Sequence, residues 1–194
     1  MRILKWILFL LCLLPGTLAA QDVPKIEIFG GYSHFSMPSG FSTGDYARTT
    51  EKASLNGWNA TATVNFSRWI GMDADFGGYY GNARAVNGHR PNPPYDFKQD
   101  FNVHTYLFGP RLSYRGNHRI APYIHALFGK AVLDRTPVSN TSKSSFGWAL
   151  GGGFDIRVDR HVAIRAIQAD YIGSRLGISI ENNLRLSTGA VLRF

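Results

Sequence analysis

The stretch NNLRLSTGAVLRF, residues 182–194, alternates so strictly that it restricts the fold more than any other part of the chain. Leu184, Leu186, Thr188, Ala190, Leu192 and Phe194 fall on one side of an extended backbone, and Asn183, Arg185, Ser187, Gly189, Val191 and Arg193 on the other. A helix would scatter both sets around its circumference. Period two describes a strand whose faces meet different surroundings. One face is apolar to its last residue, and the other carries two arginines.

The same pattern recurs upstream, mostly with the even-numbered residues apolar. Trp58, Ala60, Ala62, Val64 and Phe66 oppose Gly57, Asn59, Thr61, Thr63 and Asn65. Ile70, Met72, Ala74, Phe76, Gly78 and Tyr80 oppose Gly71, Asp73, Asp75, Gly77 and Tyr79. Stretches 105–115 and 145–157 behave alike, and Ile26 to about Phe35 fits less cleanly. Two further strands are irregular. Residues 119–132 are apolar on both faces around His125 and contain Pro122, an unusual residue inside a sheet. In 161–172, Arg165 and Asp170 fall on opposite parities, and a bulge near Ile167 would bring both to one face. The expectation is eight strands.

The aromatic residues indicate which face is outside. Trp58, Tyr80, Tyr106 and Trp148 stand at one end of the apolar sets, and Phe66, Tyr114 and Phe194 at the other. Two aromatic belts around an aliphatic band belong to a barrel that faces lipid at both interfaces. The nine residues from Trp58 to Phe66 match the roughly 9–11 a strand needs to cross. Connections alternate between short (67–68, 115–118, 159–160) and long (about 36–55, 82–100, 133–144, 173–181), which sorts all long loops to one end. The reading is all-β: an eight-stranded antiparallel transmembrane β-barrel with short periplasmic turns, four longer extracellular loops, and both termini periplasmic.

Residues 1–20 have the layout of a cleaved secretory signal peptide. Arg2 and Lys5 precede the apolar run Ile7–Leu14, Pro15-Gly16 breaks it, and Ala19-Ala20 supply small residues, with cleavage after Ala20 or Ala19. The run is too short to span a membrane, which takes roughly 20 residues. Residues 21–194 then form one barrel domain without cysteine, since the single Cys12 leaves with the signal. The formal charge of +8 includes the two signal cations. Export and the lack of any long basic run argue against nucleic acid and for an anionic membrane surface as the partner.

The ending also resembles the C-terminal assembly signal of outer-membrane proteins, which implies recognition by the barrel-assembly machinery through Ala190, Leu192 and Phe194. More broadly, FGGYSHF, FGPRLSYR, WALGGGFDIRVDRHVAIRAIQADYIG and NNLRLSTGAVLRF resemble the small outer-membrane β-barrel family of porin-like and outer-membrane protein A-like barrels. The resemblance covers about residues 24–194 and implies an outer membrane containing lipopolysaccharide. The peptidoglycan-binding domain that often follows such barrels is not seen, so a cell-wall tether is not expected.

The inner face then receives Glu27, Asp73, Asp75 and Asp155 with Arg111, Arg157, Arg185 and Arg193, and, given the bulge, Arg165 and Asp170. Each ion withdrawn from water costs several kcal/mol unless paired. The expectation is therefore a network in which arginine forks hold carboxylates across the lumen, plugging it and fixing strand register. The glycine-rich stretch at 151–155 lacks the GK[ST] of a phosphate loop, and the six histidines show no metal-ligand spacing. No cofactor or metal is expected, and the chain is expected to be a monomer rather than an enzyme. Three roles stand in order: envelope structure or contact with an extracellular ligand through the loops, a narrow channel, and a lipid-modifying enzyme using His125.

Overall fold

A computed structural model describes residues 23–37, 47–49, 52–87, 96–116, 119–136, 143–174 and 181–194. The proposed signal peptide and the tips of the long loops lie outside these residues. The strands are β1 (Ile26–Met37), β2 (Ala47–Thr49), β3 (Ala53–Asn65), β4 (Ile70–Asn87), β5 (Asp96–Ser113), β6 (Ile120–Thr136), β7 (Lys143–Arg157), β8 (Val162–Ser174) and β9 (Glu181–Arg193). Eight of them pair antiparallel with their neighbours in sequence, and β1 pairs with β9, so the sheet closes. The ninth, β2, is a short addition to the far end of β4. Closure leaves the barrel no free edge along its wall.

Strands extend further than the alternation indicates. Both β4 and β5 reach 18 residues and remain paired out to Val86 and Asp96, so much of the segment expected as a loop at 82–100 is hairpin. Alternation marks a strand only where its faces meet different solvents. Toward the long loops the pattern lapses while the ladder continues. At the opposite end the turns are tight. Ser67 caps the β3–β4 turn by accepting from the backbone N–H of Trp69 (3.3 Å) and Ile70 (3.1 Å).

The bulge in β8 falls at Ala166. Phe154 faces Ile167 while Asp155 faces Arg165, and on the other side the register breaks between Arg165 and Gln168. Thr188, opposite the extra residue, donates its hydroxyl to the Arg165 carbonyl at 3.0 Å. Parity therefore reverses within β8: Arg165 is buried before the bulge, and Gln168, Asp170 and Ile172 are buried after it.

Outside, the wall is apolar. Ile28, Val64, Phe108, Leu112, Ile124, Leu150, Ile164 and Leu192 are exposed. Trp58 lies over Gly78 and Trp148 over Gly173, each a register partner on the adjacent strand whose missing Cβ leaves room for the indole. Tyr80, Tyr106, Phe66, Tyr114 and Phe194 also point outward, as does Trp69, which packs 5.3 Å from Tyr114.

Inside, small polar residues do not dominate the whole lumen. The half nearer the long loops is filled by Phe35, Met37, Leu55, Tyr79, Val103, Leu107, Leu127, Ala131, Leu133, Ala149 and Ile172. Phe35 stacks on Tyr79 at 4.8 Å. The charges occupy the other half.

Candidate functional site

Five carboxylates (Glu27, Asp73, Asp75, Asp155, Asp170) and five arginines (Arg111, Arg115, Arg165, Arg185, Arg193) are buried in the lumen among the described residues. Equal numbers let each formal charge meet an opposite one. That balance decides whether such an interior can be dry.

Just beneath the apolar tier, Arg185 joins three strands. Its Nη1 donates to Asp75 Oδ1 at 2.6 Å and to the Tyr79 hydroxyl oxygen at 3.1 Å, and its Nε donates to Asp170 Oδ2 at 2.7 Å. Nη2 approaches the same Asp170 oxygen at 2.6 Å but off the N–H direction, so it adds charge contact rather than a hydrogen bond. Asp75 further accepts from Asn59 Nδ2 (3.0 Å) and Thr61 Oγ1 (2.8 Å).

His125 bridges two carboxylates, Nδ1 to Asp73 at 3.0 Å and Nε2 to Asp170 at 2.7 Å. Gln168 donates its amide to Asp170 at 2.7 Å and accepts from Tyr123 (2.8 Å) and Arg165 (2.7 Å). Thr63 donates to Asp73 at 2.7 Å. Lower still, Asp155 receives Arg165 Nε at 2.8 Å and Arg111 Nη2 at 3.1 Å. Arg111 lies 3.7 Å from the centre of the Tyr123 ring, and Arg165 covers Phe29 at 4.2 Å. Glu27, nearest the short turns, accepts from Arg193 (3.1 Å) and Arg115 (3.3 Å).

Of the residues singled out from sequence, the structure brings Glu27, Asp73, Asp75, Asp155, Asp170, Arg111, Arg165, Arg185 and Arg193 together. Arg157, the last residue of β7, is half-buried at the short-turn end, where it lines a small space together with Glu27, Arg111, Asp155 and Arg193. Arg115 takes a place in the lattice as well. It lies two residues beyond the end of β5 on the same odd parity as Arg111 and Ser113, a continuation that its assignment to a turn hid. Gln168 was hidden by the bulge. Tyr123 was hidden because β6 is apolar on both faces, and for the same reason His125, though noticed, was not assigned to the lumen.

The chemistry open to this arrangement is narrow. His125 is buried with both ring nitrogens on carboxylates, so no lipid or solute meets it. Among the described residues no cluster of His, Cys, Asp or Glu is arranged to hold a metal ion.

Comparison with solved structures finds the same fold at low identity. Ail, the attachment invasion locus protein of Yersinia pestis, solved in complex with the heparin analogue sucrose octasulfate, has 18% identity and a TM-score of 0.56, over 89% of this chain and 99% of that one. Neisserial surface protein A has 16% identity and a TM-score of 0.58, over 88% and 97%. The outer membrane protein OprG from Pseudomonas aeruginosa has 12% identity and a TM-score of 0.56, over 89% and 96%. Comparison with curated proteins returned no match. Residues 7–194 match the family described as outer membrane protein beta-barrel domain. With that match over nearly its whole length, and with a closed eight-stranded antiparallel wall that is apolar outside and charge-paired within, the chain belongs to the outer-membrane β-barrel family.

Proposed function

We propose that the protein is a non-enzymatic, non-conducting barrel that serves the envelope as a structural element and a surface for contact through its long loops. The observation that carries this reading is the filled lumen. An apolar tier and a charge-balanced tier follow one another along the barrel, and Arg111, Arg165, Arg185, Tyr79, Phe29 and Phe35 rank among its largest fully buried side chains. An eight-stranded barrel has an interior just wide enough for side chains, and here they occupy it. A conducting reading needs a continuous wet path. The apolar tier supplies neither ligands nor charge for one.

In this reading residues 1–20 are removed on export, and the short turns and both termini face the periplasm. Trp58, Tyr80, Tyr106 and Trp148 anchor the wall at the outer interface beside lipopolysaccharide, and Phe66, Tyr114 and Phe194 at the inner one. Ala190 and Leu192, on the outward face of β9, and Phe194, exposed just beyond its end, carry the recognition signal for the assembly machinery. The test is single-channel recording of the folded, inserted protein in a planar bilayer. Silence is expected; steady unitary currents would overturn the plug.

A further inference from the structure

His125 stands between two carboxylates at distances that fix the number of protons it carries. Its Nδ1 lies 3.0 Å from Asp73 Oδ2 and its Nε2 2.7 Å from Asp170 Oδ1, and all three side chains are fully buried. A neutral imidazole has one N–H and one lone pair. With both carboxyls ionised, that lone pair would face an acceptor at hydrogen-bond distance, and one of the two contacts would be repulsive. Both are bonds only when the three groups together hold one further proton. A carboxylate binds a proton less tightly than imidazole does, by roughly 2–3 pH units, so the proton belongs on the ring.

The sharing of the arginines points the same way. Arg165 and Arg111 bond to Asp155, and Arg115 and Arg193 to Glu27, so four of the five buried arginines donate to the two lower carboxylates. Among the described residues Arg185 alone of the arginines gives hydrogen bonds to the upper three, Asp73, Asp75 and Asp170. Arg111 reaches Asp73 only as a charge contact at 3.8 Å. Three anions beside one bonded arginine are short of a cation, and His125 occupies the place where an imidazolium supplies it. The surroundings of the ring come from every neighbouring strand. Asp73 of β4 accepts from Thr63 of β3, and Asp170 of β8 accepts from Arg185 of β9 and from Gln168, itself held by Arg165. Arg111 of β5 is the register partner of His125 on one side, and Gly151 of β7, which brings no side chain, on the other. On β6 itself the Tyr123 ring makes an edge contact at 5.6 Å.

We infer that Asp73, His125 and Asp170 form a proton-binding site inside the lumen, in which an imidazolium ties β4, β6 and β8 together. The folded barrel then holds a proton that the unfolded chain releases above about pH 6.5. Stability from this site is therefore complete below that pH and is lost as rising pH strips the ring. The test is nitrogen NMR of the folded protein, isotopically labelled at histidine and held in micelles at about pH 7.5. One histidine with protons on both ring nitrogens is expected. Burial should make those protons slow to exchange with water, which identifies the ring in the parent protein alone. The signal should be missing from the His125→Gln and Asp73→Asn double variant, whose amides replace the ring and one charge together. A buried ring protonated on one nitrogen only would overturn the site. The urea midpoint gives a second reading. Between about pH 7 and 8 the unfolding equilibrium constant of the parent should rise about tenfold more than that of the double variant. Equal pH dependence of the two proteins would likewise overturn it.

Discussion

Arg185→Ala is expected to lower the stability of the folded barrel by about 3–5 kcal/mol, read as a fall in the urea midpoint of the protein in detergent micelles or lipid vesicles. Arg185 is wholly buried and supplies the cationic partner of Asp75 and a charge partner of Asp170. Its removal leaves two carboxylates in a space water does not enter, together with a cavity where the guanidinium stood. The cost therefore lies in what remains rather than in the bond lost. A second variant separates these contributions. Arg185→Met combined with Asp75→Asn and Asp170→Asn removes the stranded charges while keeping the volume, and should recover a large part of the loss. If Arg185→Ala unfolds at the parent's midpoint, the buried lattice is not a determinant of stability.

Gly31→Val should abolish most of the folded population, scored by the gel shift between heated and unheated samples, while Gly30→Val should fold normally. Gly31 and Gly189 face each other across the β1–β9 seam. A Cβ on Gly31 would strike the Thr188 carbonyl, and one on Gly189 the Gly30 carbonyl. Both obstacles are backbone, which cannot swing aside as a long side chain can. Overpacking typically costs about 1–3 kcal/mol, and at the seam it also opposes the ladder that closes the barrel. Gly30 points outward with nothing within 4 Å of its would-be Cβ, so the neighbouring residue is an internal control. A fully folded Gly31→Val protein would show that the seam has slack.

The wall was legible in the sequence because a membrane imposes period two wherever a strand crosses it. Leu184 to Phe194 and Trp58 to Phe66 announce their outward faces directly, and the clash of parity between Arg165 and Asp170 located the bulge. Two things were not legible. Segments such as 81–87 pair as strand although Asn82 and Arg84 fall where the apolar set stood, so their pattern does not distinguish them from loop. The contents of the lumen are the other. Val103, Leu107, Leu127 and Leu133 lie on the inward face like Thr105 and Arg111, yet a lumen-facing leucine carries no mark separating it from a lipid-facing one. The pairings themselves are tertiary. That Arg111 serves Asp155 while Arg115 and Arg193 share Glu27 depends on tilt and rotamer.

The ion pairs inside the barrel also determine when the interior forms. Glu27 and Arg193 are register partners across the seam yet lie 166 residues apart, and Arg185 reaches Asp75 over 110. In a sheet that has not yet closed, Glu27 and Arg193 stand on opposite borders, and the inward charges line an open trough of water. Arg165–Asp155 and Arg185–Asp170 can meet within their own hairpins, whereas the partners of Glu27 and Asp75 come from distant strands. Dehydration of the lumen is consequently one late event, coincident with the meeting of first and last strands, and the route to it is dominated by contacts distant in sequence. An intermediate halted before that meeting would be a wet, soft ribbon with an apolar back, suited to being held by another protein until its two borders join.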